Sequence, residues 1–298
     1  MDTNSLTPHG PDAAHISGLF WLMVTMGTVI YIVTMTALVV ALFRGRQGAR
    51  PSRFSDNAFI VGGGVVVPTL VLFVLAFATV RATNKVTAPR RDAVRLEVVG
   101  YQYWWRVEYH TPVRATTANE VHIPVGRPVD ITLTSVDVNH SFWIPELAGK
   151  VDTIPGQRNL LHLQADKAGT YRGQCAEFCG LQHTHMAMLV IAEPQADFDR
   201  WVRTQARPAA AGSAVFEHQS CAGCHTIRGT SADGTLGPDL THLAGRRTLG
   251  AVTAPNTAQN LAKWIHNAQD FKPGSLMPPV PMDPAELDAL VAYLETLE

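Results

Sequence analysis

Residues 175–186 read CAEFCGLQHTHM. Two thiols, a carboxylate, two imidazoles and a thioether fall within one short, turn-like segment. The chain holds four cysteines, and Cys175 and Cys179 are half of them. Thiolate, imidazole and thioether donors together select copper or zinc over hard, oxygen-seeking ions. Taken alone, the spacing leaves a Cys2His2 zinc site and a Cys175–Cys179 disulfide open beside a copper site.

The other two cysteines stand in CAGCH, residues 221–225. This is C-x-x-C-H, the pattern of covalent c-type haem attachment. Cys221 and Cys224 lie about one helical turn apart, which suits two thioether bonds to neighbouring vinyl groups, and His225 then reaches the iron. A redox dithiol or half of a zinc site are the rival readings, and no thioredoxin-like βαβ pattern surrounds the motif. A sixth iron ligand is needed, and methionine is usual in electron carriers. Met277 in GSLMPP and Met282 in VPMDP are the candidates. The methionine–proline pair at Met277 resembles the small cytochromes c and is preferred. LGPDL, residues 236–240, resembles the loop whose proline backs the proximal imidazole.

At 298 residues the chain has room for about two domains with a membrane part. A net charge of −1 excludes nucleic-acid binding by bulk electrostatics. Charged residues make up 16% of the chain, against roughly 25% in typical soluble proteins. The shortfall sits in two uncharged stretches, 18–43 and 58–80, each long enough to cross a bilayer. Gly62, Gly63, Gly64 and Pro68 would weaken a water-exposed helix but are tolerated in a packed membrane helix. Arg44, Arg46, Arg50 and Arg53 in the connector place it in the cytoplasm and both chain ends outside. Arg81, Lys85, Arg90, Arg91 and Arg95 after the second stretch pull the other way. Covalent haem attachment outside the cytoplasm decides for the first orientation.

The pattern then changes to period two. VRLEVVGYQYWWRVEY, EVHIPVGRPVDITLTSV and AMLVIAE are punctuated by glycine and proline, as in an antiparallel β sandwich or barrel. ADFDRWVRTQ reads as a short amphipathic helix and ARPAAAGSA as a linker. The remainder reads as helical, with Asp283 as an N-cap and Pro284 at the first helical position. The expected order is an extracytoplasmic segment 1–17, a transmembrane hairpin 18–81, a β domain 82–206, a linker 207–213 and an all-α domain 214–298.

DVNHSFWIPELAGKVDTIPG, residues 137–156, carries His140 well upstream of Cys175. At this point the chain resembles subunit II of the haem–copper cytochrome c oxidases, whose binuclear CuA centre follows a distant His and then C-x-E-x-C-x-x-x-H-x-x-M. His140, Cys175, Glu177, Cys179, His183 and Met186 occupy those positions. The resemblance covers the hairpin, the aromatic YQYWW and the β domain, which it implies is cupredoxin-like. The appended CAGCH domain resembles the fused cytochrome c of the caa3 type. The resemblance implies that His140 and Met186 complete one copper, and His183 with the Glu177 carbonyl the other. Two bridging thiolates spread one electron over both ions, so bond lengths change little on reduction. His185 is outside the pattern. The resemblance further implies a magnesium ion shared with subunit I at Glu177, with Asp152 a nearby acidic position.

Two departures stand out. The family's electron-receiving tryptophan is Tyr103 here, followed by Trp104 and Trp105, all three being electron-transfer candidates or β-domain core. The glutamate that some relatives carry early in the second span is replaced by Phe59, Ile60 and Val61, and Asp56 reads as a helix cap.

The implied function is electron relay from an external donor through haem c and CuA to subunit I, where oxygen is reduced with proton translocation. Subunits I and III in the membrane and a soluble cytochrome c or another periplasmic donor are the implied partners. A CuA-bearing subunit of a nitric oxide reductase and a membrane-anchored copper-storage or delivery protein are the alternatives. A storage protein has no use for a redox haem. Acidic residues outnumber Lys plus Arg after Ala209, with Asp283, Glu286, Asp288, Glu295 and Glu298 near the end, a face that a basic donor would seek.

Overall fold

The computed structural model describes residues 4–45, 55–110 and 112–298. Arg46, Arg50 and Arg53 of the connector lie outside them. The described chain forms two compact units, 14–89 and 1–13 with 90–298.

In the first unit, helix α1 (Pro11–Gly45) begins ahead of the uncharged stretch and runs past it. The second helical rod is α2 (Asp56–Val61), a π-helical turn (Gly62–Val66) and α3 (Val67–Val86). Ser55, not the expected Asp56, caps it by accepting from the Ala58 N–H; Asp56 is the first helical residue, its charge suited to the N-terminal end. The wide turn falls on the three glycines, which offer least resistance to a looser backbone ladder. Both rods are long and apolar enough to cross a membrane.

The second unit opens with a β sandwich. One sheet has the order β3 (Ala115–Ala118), β2 (Trp104–Tyr109), β1 (Val94–Tyr101), β5 (Val129–Ser135), β8 (Asn159–Leu163). The other has β4 (Glu120–Pro124), β10 (Ala187–Glu193), β9 (Gly169–Cys175), β6 (His140–Trp143), β7 (Val151–Thr153). The pairings are antiparallel except β1 with β5 and β4 with β10, which run parallel. Strand β5 alternates buried and half-buried residues, as its sequence period requires. Strand β4 is buried throughout and β10 up to its last residue, because their outer faces are covered too. Helix α4 (Gln195–Gln205) contributes by stacking Trp201 on the His122 ring at 3.8 Å. Trp105, Tyr109, Phe142 and Phe198 fill the core.

Residues before the first span are not a loose tail. His9 Nδ1 lies 2.8 Å from Glu146, its carbonyl accepts from the Asp166 N–H, and Asp12 pairs with Arg90.

The C-terminal part carries α5 (Ala214–His218), α6 (Ala258–His266) and α7 (Pro284–Leu294), with a short ribbon of β11 (Thr248–Leu249) and β12 (Ala254–Pro255) that helical periodicity does not announce. Asp283 caps α7 by accepting from the Ala285 N–H, and Pro284 takes the first turn, as expected. Phe216, Ile227, Leu261, Ile265, Leu290 and Leu294 form its core.

Candidate functional site

Strand β6 delivers His140 and the end of β9 delivers Cys175, side by side in one sheet through the Phe142–Cys175 register. The chain after Cys175 turns back over them. Cys175 Sγ lies 3.9 Å from Cys179 Sγ, 4.0 Å from His140 Nδ1 and 3.2 Å from the Glu177 carbonyl. Cys179 Sγ lies 3.7 Å from His183 Nδ1 and 3.8 Å from Met186 Sδ. Six donors from the six expected positions thus surround one small volume. His140, Cys175, Cys179 and Met186 are buried, so the donors face inward together.

Asp137 orients the first imidazole. Its carboxylate lies 2.8 Å from His140 Nε2, which leaves Nδ1 for the thiol side. Burial works against charge on the His140 ring, but Asp137 and Cys175 outweigh it and hold its pKa above the usual histidine range. Burial likewise opposes charge on Asp137, yet bonds from His140 and from the Gln102 and Val138 amides hold its pKa below the usual carboxylate range. The Cys179 thiol beside it draws the Cys175 pKa well down, and Cys179 is held correspondingly high. One shared proton between two sulfurs is what a bridging metal pair would displace.

The other expected residues fall differently. Trp105 is core, edge-on to His140 with ring centroids 5.7 Å apart. Trp104 stacks on Tyr101 at 4.4 Å. Tyr103 is buried, its hydroxyl accepting from the Leu181 N–H at 3.1 Å. His185 is exposed, with Nδ1 2.6 Å from Gln182 Oε1. Glu177 is exposed and Asp152 half-buried on β7, and no close group of three metal-ligating side chains among the described residues contains either.

In the second motif, Cys221 to Gly223 form a 3-10 turn directly before Cys224 and His225. His225 Nδ1 lies 2.8 Å from the Pro238 carbonyl, so the ring donates there and keeps Nε2 as its ligating atom. Burial holds the His225 pKa below its ordinary value, which favours the neutral, ligating form. A Cβ on Gly237 would sit 2.4 Å from His225 Cε1, so only glycine lets LGPDL lie against the ring. Leu236 and Leu276 stand 73% and 76% exposed, apolar groups awaiting an apolar cover. Met277 is half-buried in the same loop as Leu276, whereas Met282 packs on the helical core. Donors, cradle and apolar walls fit a covalently held haem.

Sequence reasoning missed Asp137, although an acid three residues before His140 was a visible signal. It also missed Gly100, whose added Cβ would lie 2.7 Å from the His140 ring.

A β sandwich holding two thiols, two imidazoles and a thioether, followed by a C-x-x-C-H helical domain and anchored by two apolar rods, defines a membrane-bound copper and haem electron-transfer protein. Residues 112–193 match the family described as cytochrome c oxidase subunit II, periplasmic domain, and 209–298 match cytochrome c. The chain is 34% identical over 313 aligned positions to cytochrome c oxidase subunit 2 of Alkalihalophilus pseudofirmus, covering 99% of this chain and 90% of that one. It is 30% identical to cytochrome c oxidase subunit 2 of Bacillus sp. PS3, covering 86% and 80%. The solved periplasmic domain of subunit II of cytochrome oxidase from Bradyrhizobium japonicum is 28% identical, with a TM-score of 0.38, over 40% of this chain and 96% of that one.

The chain belongs to the cytochrome c oxidase subunit 2 family, with a cytochrome c domain fused at its C-terminal side. It is a membrane-anchored part of a haem–copper oxidase, an oxidoreductase that works with partner subunits, and its two cofactor types are CuA copper and haem c.

Proposed function

We propose that this subunit relays single electrons inward: an external donor reduces haem c, CuA accepts the electron, and subunit I uses it to reduce oxygen to water with proton translocation. The observation that carries the reading is the convergence of His140, Cys175, Glu177 O, Cys179, His183 and Met186, in the same compact unit as CAGCH. Cys221 and Cys224 would hold the haem, with His225 and Met277 as its axial ligands. The His140 ring, locked by Asp137, and the carbonyl of Glu177 would fix the copper pair with little freedom to reorganise. Met282 is the weaker axial candidate because it already packs on the helical core.

Both chain ends and both metal domains lie on the periplasmic side in this reading. The division into 1–17, 18–81, 82–206, 207–213 and 214–298 follows the same assignment. Phe178 and Leu181, 77% and 82% exposed on the ligand loop, are the apolar tips through which CuA would meet subunit I. A magnesium ion at Glu177 and Asp152 would need most of its oxygen ligands from that partner. Subunit III completes the assembly. A basic soluble cytochrome c suits the acidic C-terminal helix as donor.

The test is electron paramagnetic resonance with copper and haem counting on the detergent-solubilised full chain. One unpaired electron shared over two copper nuclei, with one haem c per chain, supports the relay. A single-copper signal, or zinc with no signal, would sink it.

A further inference from the structure

The helical part does not hang from the sandwich on a free linker. Arg228 Nη2 donates to the Gln205 carbonyl, the Ala209 N–H donates to the Arg228 carbonyl, and the Tyr293 hydroxyl donates to the Ala211 carbonyl. On the sandwich side, buried Glu120 accepts from the Arg247 and Thr248 N–H groups at 2.7 and 3.2 Å. The two parts are therefore held in one arrangement, and the segment that joins their two cofactor sites can be followed atom by atom.

That segment is 269–277. Lys272 is 3% exposed, and its Nζ donates to the carbonyls of Tyr103 at 2.7 Å and Gly250 at 3.0 Å. Next along, the Pro273 carbonyl accepts from Gln182 Nε2 at 2.5 Å. Gln182 is itself buried and is peptide-bonded to His183. The Gly274 N–H donates to Gln269 Oε1 at 2.7 Å, and Gln269 Nε2 donates to the Met277 carbonyl at 2.8 Å. Gly274 has φ +86°, and a Cβ there would lie 3.1 Å from Leu181 Cδ1, so the Leu181 side chain of the copper loop lies against this turn. An unbroken run of covalent and hydrogen bonds thus joins Met277 to His183 through two glutamines.

We propose that the Gln269–Gln182 bridge is the route by which an electron crosses from the haem domain to the copper loop, and that Lys272 is the positioning residue that keeps its ends in register. The inference deepens the reading above and rests on its assignment of Met277 and His183 to the two cofactors. One electron leaves the ferrous haem, which becomes ferric, and reduces the copper pair by one. No bond is made and no proton is transferred in the bridge.

The experiment uses the isolated oxidase complex carrying Gln182→Leu, Gln269→Leu, both changes, or Lys272→Met. Haem c is photoreduced and its reoxidation by copper is timed, while the copper resonance and haem spectrum report whether each site is intact. Each single leucine variant slows the transfer by about tenfold, the equivalent of about 1.4 kcal/mol on the barrier, with both spectra unchanged. The double variant is slower than Gln182→Leu by less than the Gln269→Leu factor, because the two links belong to one route and the peptide backbone 274–277 runs beside Gln269. Lys272→Met slows the transfer and broadens its rates into a distribution. Gln269→Leu lies far in sequence from any copper ligand and keeps the test open if Gln182→Leu disturbs His183. A readout independent of turnover is amide exchange at Gly274, which rises in Gln269→Leu even without cofactors. Unchanged rates with intact spectra, or an unchanged Gly274 amide, each overturn the bridge. A parent complex lacking the shared two-copper signal overturns the relay reading instead.

Discussion

Gly100→Ala tests whether the His140 position is set by packing rather than by metal. Gly100 lies on β1, and a Cβ added there would sit 2.7 Å from His140 Cδ2, 3.2 Å from Cγ and 3.3 Å from Thr153 Oγ1. Carbon atoms in contact rest at about 3.5–4.0 Å, so the ring must withdraw by about 0.8 Å or more. It has little room, since Nε2 is bonded to Asp137 at 2.8 Å, Trp105 stands edge-on, and the ring is fully buried. Metal–ligand distances tolerate only about 0.2 Å. The displacement is several times that, so His140 leaves the ligand set. Overpacking of this kind costs about 1–3 kcal/mol, which a domain with this core survives. The expected result is a folded subunit whose haem c spectrum is intact, whose copper content falls by half or more, and whose shared two-copper resonance is lost. Gly169→Ala, on β9 in the sheet that carries His140, is the control, because its Cβ would meet nothing closer than 3.8 Å. Full copper occupancy with an unaltered resonance in Gly100→Ala would refute the argument.

Glu120→Ala leaves the part-buried Arg247 and Thr248 amides without their acceptor, and losing two such bonds costs about 1–3 kcal/mol together. Glu120→Gln keeps an acceptor and removes a carboxylate whose pKa burial already raises, so less than half that loss is expected; equal melting shifts for the two variants would contradict this. Gly237→Ala drives a Cβ into the His225 ring, so haem stays covalently attached while its visible bands shift and its potential changes; bands matching the parent would count against the proximal role of His225. Burial pulls Lys272 down to about 7, so between that pH and the free-lysine value of about 10.4 the folded state binds fewer protons than the unfolded one. The folded state therefore gains stability as pH rises through this window and loses it as pH falls towards 7. Denaturant midpoints of the parent minus those of Lys272→Met should climb with pH; a flat or falling difference would break the argument.

How much was legible depended on how local each feature is. CAEFCGLQHTHM and CAGCH are contiguous, and their donors needed only short turns to converge. The cap at Asp283 and the two uncharged rods were local too, whereas the cap expected at Asp56 falls one residue earlier, on Ser55. The exceptions are contacts whose partners are far apart in the chain. Lys272 and Tyr103 are separated by 169 positions, and Arg247 and Glu120 by 127. A lone lysine in FKPGS and a glutamate at the start of EVHIP read as ordinary polar surface until the other domain covers them. That cover also explains β4 and β10. Their sequences do not alternate cleanly because neither face meets water. Gly100 sits in a strand where glycine is a poor choice, and that was its only signal.

The covered Tyr103 ties the sequence departure to the architecture. In the resembled family an aromatic at this position receives electrons from a soluble donor, which requires an open surface beside it. Here the Tyr103 ring is buried, its hydroxyl holds the Leu181 amide of the copper loop, and its carbonyl holds Lys272 of the haem domain. A residue engaged on both sides serves as a joint between two cofactor sites, and an indole would offer no oxygen to the Leu181 N–H. Under the proposed relay, the replacement of tryptophan by tyrosine would suit an attached haem domain, because the phenol hydroxyl holds the Leu181 N–H where an indole could not. Among relatives with the same fusion, the same position is expected to carry a residue that hydrogen-bonds across the joint, whatever its size.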